Sequence, residues 1–320
     1  MTMSDGDPRR YEHLTETRLH DPGAVLRAAQ TRPRHPGPQR GRQLFILASD
    51  HPARGALGVK DDPLAMADRR DLLDRLQTAL AHPRVDGVLA SPDILDDLLL
   101  LGAVDGKLLF GSMNRAGLPG LVNEVDDRFT GHTAAGLAAI GAAGGKMLTR
   151  IAFDDTHTTS MLEATARAVD ALHRHQMVAM IEPFISMHRQ GQLVNDLSTD
   201  AVVRSVAIAQ GLGGSSARTW LKLPVVAEME RVMAATTLPT VLLGGSAAAG
   251  TEDILATWAP ALRLPGVQGL TAGRVLLYPD DGDVARAVEV AAGLLRGGGA
   301  RPDSRDPAKP RTSEEEERLR

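Results

Sequence analysis

Between residues 43 and 296 the chain alternates short apolar runs with amphipathic helical patterns, eight times over, at the spacing of strand–helix units. The runs fall at 43–49, 85–90, 107–113, 145–153, 177–185, 219–225, 239–243 and 267–277. Between them, apolar residues recur at helical spacing, as in Leu72, Leu73, Leu76, Ala79 and Leu80, or Met161, Leu162, Val169 and Leu172. Capping residues support the boundaries: Ser91 precedes Pro92, Ser198 precedes a helix over 199–210, and Thr130 and Thr251 are expected as caps. Asp281 is expected to open a last helix through residue 296.

Strands that alternate with helices pair in parallel, and eight such units over about 250 residues predict a closed (β/α)8 barrel. An open doubly wound sheet is the alternative. It would carry a glycine-rich nucleotide turn after the first strand, where this chain has Ser49-Asp50-His51-Pro52. Residues 1–40, rich in Pro, Arg and Asp with one short helix around 23–31, read as an N-terminal extension. Residues 41–296 read as the barrel and 297–320 as a disordered tail.

The sixth run, Thr219-Trp220-Leu221-Lys222-Leu223-Pro224-Val225-Val226, is apolar except for a central lysine. An ammonium in a strand interior loses its hydration and tends to shed its proton. The chain has five lysines among 36 basic residues, so it writes its surface charge with arginine. A lysine kept in this strand suggests a required amine, and Lys222 is read as a nucleophile that forms an imine with a carbonyl substrate. The bland reading makes Lys222 half of a buried ion pair with Glu182, a purely architectural contact.

In a barrel of this kind the site lies at the C-terminal strand ends. Polar residues expected there are Asp50 and His51, Asn114 and Arg115, Lys146 and Arg150, Asp154 and Asp155, Glu182, Lys222, Gly244 to Ser246, Gly273 and Arg274. Side chains alternate along a strand, so Lys146, Leu148 and Arg150 share a face, as do Trp220, Lys222 and Pro224. Converging cations and desolvation push a lysine toward its neutral form, while Glu182 and Asp50 can offset the charge and move protons. Lys146, near the start of its run, has the alternative of sitting low in the barrel or snorkelling outward. Gly244-Gly245-Ser246 and Gly273-Arg274 follow the last two strands, where backbone amides of many such barrels bind phosphate.

Absences narrow the function. With no cysteine there is no thiol catalysis, thiolate metal site or disulfide, which fits a cytosolic protein. The ten histidines form no His-x-x-x-His pair at a strand end, so no metal is expected. A net charge of −4 gives no reason to expect a nucleic-acid partner. Residues 1–10 are too polar for a signal peptide, and no apolar run approaches the ~20 residues of a membrane span. A homo-oligomer is expected.

These motifs resemble, over most of residues 43–296, the class I Schiff-base aldolases of the deoxyribose-phosphate aldolase superfamily, most closely the tagatose-bisphosphate aldolase type. Asp50 followed by Arg54-Gly55-Ala56-Leu57 is similar to that family's Asp-Gln-Arg-Gly-Ala-Leu after its first strand. Lys146-Met147-Leu148-Thr149-Arg150 resembles its lysine-bearing fourth strand, Ile181-Glu182-Pro183 its Glu-Pro fifth strand, and Leu221-Lys222-Leu223-Pro224-Val225 its Schiff-base strand. Gly244-Gly245-Ser246 and Gly273-Arg274 are similar to its phosphate loops.

The resemblance implies Lys222 as the imine-forming residue, Glu182 and Lys146 as partners in proton transfer and orientation, Asp50 as a substrate contact, and no cofactor. Two departures bear on the substrate. His51-Pro52-Ala53 lengthens the first motif, and Arg150 stands where those aldolases tend to place tyrosine. An added arginine suits an acidic substrate. By resemblance, a divergent branch linked to inositol breakdown cleaves 6-phospho-5-dehydro-2-deoxygluconate to dihydroxyacetone phosphate and malonate semialdehyde. That reaction is the expectation here, with tagatose or fructose bisphosphate or deoxyribose phosphate as alternative substrates. The rivals are a sugar-phosphate isomerase or epimerase using Glu182 as base, and a non-catalytic barrel that binds a sugar phosphate to regulate.

Overall fold

The structure, a computed structural model, describes residues 11–244 and 250–296. Among the described residues nine strands form: β1 (Leu44–Ser49), β2 (Gly87–Ala90), β3 (Leu108–Ser112), β4 (Gly144–Ala152), β5 (Val178–Arg189), β6 (Gln192–Asn195), β7 (Thr219–Leu223), β8 (Thr240–Leu243) and β9 (Val267–Ala272). The helices are α1 (Glu12–His20), α2 (Ala24–Thr31), α3 (Arg69–Leu80), α4 (Pro92–Leu100), α5 (Ala134–Ala139), α6 (Thr158–Arg174), α7 (Thr199–Ala209), α8 (Met229–Ala234), α9 (Thr251–Ala261), α10 (Arg274–Leu277) and α11 (Val284–Arg296).

Eight strands pair in parallel in the order β4-β3-β2-β1-β9-β8-β7-β5, and β4 pairs with β5 to close the ring. This is the expected (β/α)8 barrel, with β6 added outside the ring as an antiparallel hairpin partner of β5. Alternation along each strand separates two cores. Leu44, Ile46, Leu89, Phe110, Met180 and Val241 fill the barrel lumen. Phe45, Leu47, Val88, Leu109 and Ile181 point the other way, into the layer shared with the helices.

Several boundaries differ from those read in the sequence. The helix after β3 is capped by Thr133, whose hydroxyl accepts from Gly136 N, and not by Thr130. Thr251 is the first residue of α9, behind Gly250, and the last helix begins at Val284 rather than near Asp281. The run 267–277 divides, because β9 ends at Ala272 and α10 begins at Arg274. Gly273 allows the change of direction: a Cβ there would lie 2.0 Å from the Ala48 carbonyl oxygen. The β5–β6 hairpin carries the chain beyond the apolar run 177–185, through residues 186–195, which are mostly polar and show no strand pattern.

The N-terminal extension is tied to the barrel from residue 11 onward. Tyr11 and Leu14 are buried, α2 packs on α4, and Arg32 Nη1 donates to the carbonyls of Val104 (3.2 Å) and Lys107 (2.9 Å). Those carbonyls precede β3, so Arg32 closes the end of the barrel opposite the strand C-termini. The expected disordered tail, 297–320, lies outside the described residues.

Candidate active site

The inward phase that fills the lumen with aliphatic side chains continues, at the C-terminal strand ends, into ionisable ones. Leu44, Ile46 and Ala48 are followed in phase by Asp50; Leu108 and Phe110 by Ser112; Met180 by Glu182; and Trp220, which pairs in register with Met180, by Lys222. Lys146 pairs in register with Met180 and therefore also faces the lumen. It does not snorkel outward. All five polar side chains are buried at the floor of a cavity of about 400 Å³ that opens on the strand C-terminal face, four of them lining it directly.

Their contacts form one chain of charges. Lys222 Nζ donates to Glu182 Oε1 at 2.6 Å, and Lys146 Nζ pairs with the other oxygen of Glu182. Lys146 also reaches Asp50 Oδ2 at 3.3 Å, which accepts in addition from Arg115 Nη1 (2.8 Å) and Ser112 Oγ (3.0 Å). The architectural Lys222–Glu182 pair is therefore present, but Glu182 divides itself between two lysines.

Burial by itself would raise the Glu182 pKa. The two ammonium groups overrule it and hold the carboxyl down at about 2. Asp50 behaves alike: burial pushes it up, and Lys146 and Arg115 bring it well below the ordinary range. Lys146 is pushed down by burial against the pull of Asp50 and Glu182. Burial, opposed by Asp50, also lowers His51, so its imidazole is neutral at physiological pH.

Around this floor the cavity wall is cationic. Arg150 and Arg274 line it as expected, together with Gly244 and Gly273. Arg150 pairs with Glu124, and Arg274 donates to the Gly58 carbonyl at 3.3 Å. Gly245 and Ser246 lie outside the described residues.

Arg115, expected at a strand end but given no role from the sequence, is a direct partner of Asp50. Glu124 was missed altogether. It sits in a loop without periodicity, 26 positions from the arginine it holds, and nothing local marks it. The same loop is pinned by Arg54, which pairs with Asp127 and donates to the carbonyls of Asn114 (2.6 Å) and Gly117 (3.0 Å). Asn114 then extends the β3–β4 ladder with its side chain, accepting from Leu148 N at 2.9 Å and donating to Leu148 O at 2.5 Å.

Among the described residues there is no group of three or more His, Asp or Glu side chains able to hold a metal ion. No helix among them is long and apolar enough to cross a membrane.

A family model described as Cgl0159-like matches residues 42–292. The chain belongs to the Cgl0159-like family. A solved member, Cgl0159 from Corynebacterium glutamicum (Brevibacterium flavum), is 51% identical, with 91% of this chain and 98% of that chain covered and a TM-score of 0.88. The chain is also similar to 2-amino-4,5-dihydroxy-6-oxo-7-(phosphonooxy)heptanoate synthase of Streptomyces griseus, at 27% identity over 83% of this chain and 89% of that protein. Its barrel also shares its fold with a Schiff-base-forming fructose-1,6-bisphosphate aldolase, at 19% identity, 85% and 99% coverage and a TM-score of 0.59. An archaeal fructose 1,6-bisphosphate aldolase stands at 18% identity, 86% and 100% coverage and a TM-score of 0.59.

Proposed function

We propose that the protein is a class I aldolase, a lyase that cleaves a phosphorylated keto acid through an imine on Lys222. One observation carries the reading: a buried strand lysine whose Nζ lies 2.6 Å from a carboxylate that a second lysine shares. Two lysines at one glutamate supply an amine, a base and a retained positive charge within hydrogen-bond reach of one another. The substrate phosphate rests at the ends of β8 and β9, where Gly244 and Gly273 present backbone and Arg274 a guanidinium.

Lys222 passes a proton along its hydrogen bond to Glu182, and Nζ adds to the ketone carbon. Loss of water leaves a protonated imine. The carbinolamine oxygen leaves as that water with the proton that Glu182 returns, so the carboxylate is ionised again. While Nζ is neutral, Glu182 has lost one of the two cations that hold its pKa down and can keep the proton; the protonated imine restores that charge and returns the carboxyl to its ionised form before a base is needed. Glu182 then takes the proton of the hydroxyl two carbons from the imine carbon. The bond from the α carbon to the hydroxyl-bearing carbon breaks, its electron pair moves to the imine as an enamine, and the hydroxyl-bearing carbon departs as an aldehyde. Protonation of the enamine carbon and hydrolysis release the keto phosphate and restore Lys222.

The substrate we favour is 6-phospho-5-dehydro-2-deoxygluconate, which this sequence of steps divides into dihydroxyacetone phosphate and malonate semialdehyde. The compound in the Streptomyces griseus relative's name supports that class, since it too has a phosphonooxy group beside a ketone at one end and a carboxylate at the other.

The test is intact-mass spectrometry after incubation with dihydroxyacetone phosphate and borohydride in EDTA, for wild type and Lys222→Met. A reduced adduct on wild type alone, mapped to Lys222, is expected. Its absence across several keto phosphates would remove the aldolase and favour the isomerase or regulatory reading.

A further inference from the structure

We propose that Arg150 is the specificity-determining residue of this cavity, receiving a carboxylate at the substrate terminus remote from the phosphate. The inference rests on the phosphorylated keto-acid reading above and assigns a receptor to the acid group. Its first ground is position in the ring. In the closed order β4-β3-β2-β1-β9-β8-β7-β5, β9 stands four strands from β4 whichever way the ring is counted, and β8 likewise from β3. The glycine ends of β8 and β9 thus face β3 and β4 across the mouth. A ligand whose phosphate lies at Gly244 and Gly273 and whose ketone meets Lys222 extends its other end toward β4.

The second ground is height. Lys146, Leu148 and Arg150 follow one another on the inward face of β4 and all line the cavity. At about 3.3 Å of rise per residue, Arg150 lies about 13 Å further along the strand than Lys146, at the rim and above the reacting groups.

The third ground is how the arginines are used. Arg54 is consumed by the loop it pins, with Asp127 and two carbonyls as partners. Arg115 lines the cavity too, but it spends Nη1 on Asp50 and Ser112 at the floor, and its Nε and Nη2 are buried without a partner among the described residues. Arg150 has one hydrogen-bond partner among the described residues, Glu124, and otherwise fronts the cavity. Glu124 is itself anchored, accepting from Gly120 N at 3.1 Å. A fixed carboxylate that grips one nitrogen orients the guanidinium and offsets its charge while the site is empty. The remaining N–H groups stay free for the planar two-point contact that a carboxylate offers.

The experiment compares binding of 6-phosphogluconate and glucitol 6-phosphate by calorimetry. Both are six-carbon chains phosphorylated at one end; one finishes in a carboxylate, the other in a hydroxymethyl group. Wild type should prefer the acid by on the order of 10- to 100-fold, the worth of a desolvated charge-assisted contact. Arg150→Met should bring the ratio close to one, and Arg150→Lys should restore part of it. Glu124→Gln/Arg150→Met leaves no unpaired carboxylate behind and should match the single variant, which keeps the test open if that variant folds poorly. A wild-type ratio near one, no binding of either ligand, or equal weakening of both in Arg150→Met would overturn the proposal. Neither ligand has a ketone, so the ratio is independent of imine chemistry. Failure of borohydride trapping would remove the aldolase and leave the acid receptor standing, and a trapped adduct with a ratio near one would do the reverse.

Discussion

Glu182 accepts from Lys222 on one oxygen and pairs with Lys146 on the other, so each lysine alters what the carboxylate can do for its neighbour. Replacing it with glutamine keeps the shape and removes the base. Glu182→Gln is expected to lower kcat by on the order of 10²- to 10⁴-fold, the usual range for a general base, with a smaller effect on KM. Steady-state assay of aldol cleavage reads this, and an unchanged kcat would assign proton transfer elsewhere. Deleting the charge without the shape costs more: Glu182→Ala leaves two buried ammonium groups without their shared anion, at about 3–5 kcal/mol.

Among the elements, the turn from β9 into α10 shows how backbone and site are joined. Gly273 packs so closely on β1 that any side chain would overlap the Ala48 carbonyl oxygen, at 2.0 Å from a Cβ. Gly273→Ala must therefore displace β1 or α10, and with them Asp50 or Arg274. A loss of at least about 2 kcal/mol in urea denaturation is expected. Stability equal to wild type would show that the two strands can separate locally. The β5–β6 hairpin brings a second contribution. Gln190 and Gly191 at its tip both have positive φ, the geometry of a two-residue turn that matches strand twist, and the returning chain carries Asn195 and Leu197 to the cavity wall.

The molecule as a whole stores part of its stability in this buried cluster, which has a consequence for acid. The folded Glu182 pKa is held at about 2 against an ordinary 4.5, and Asp50 is likewise depressed. A carboxylate whose pKa is lower in the folded state contributes fully above its unfolded pKa. The contribution fades as pH falls below 4.5 and is gone below about 2. For Glu182 alone the shift corresponds to about 3 kcal/mol. Urea unfolding at pH 7, 4 and 3 should therefore show a steeper loss in wild type than in Glu182→Gln. Parallel curves would mean that the lysines release the carboxylate before the fold gives way.

The sequence by itself determined the barrel and the floor of its site. Strand–helix alternation leaves few ways to bury eight apolar runs, and once a strand's inward phase is set, Asp50, Glu182 and Lys222 face the lumen, whereas the direction of Lys146 followed only from its register with Met180. Both are local, periodic properties. Tertiary structure alone decided what those residues touch. That Glu182 is shared by two lysines, that Asp50 is held by Arg115, and that Glu124 orients Arg150 all depend on strand stagger and on where an aperiodic loop comes to rest. Such contacts join positions far apart in the chain, and no spacing rule encodes them. The hairpin and the break at Gly273 escaped for a related reason: each is fixed by a neighbouring strand or turn geometry rather than by the hydrophobic pattern of its own residues.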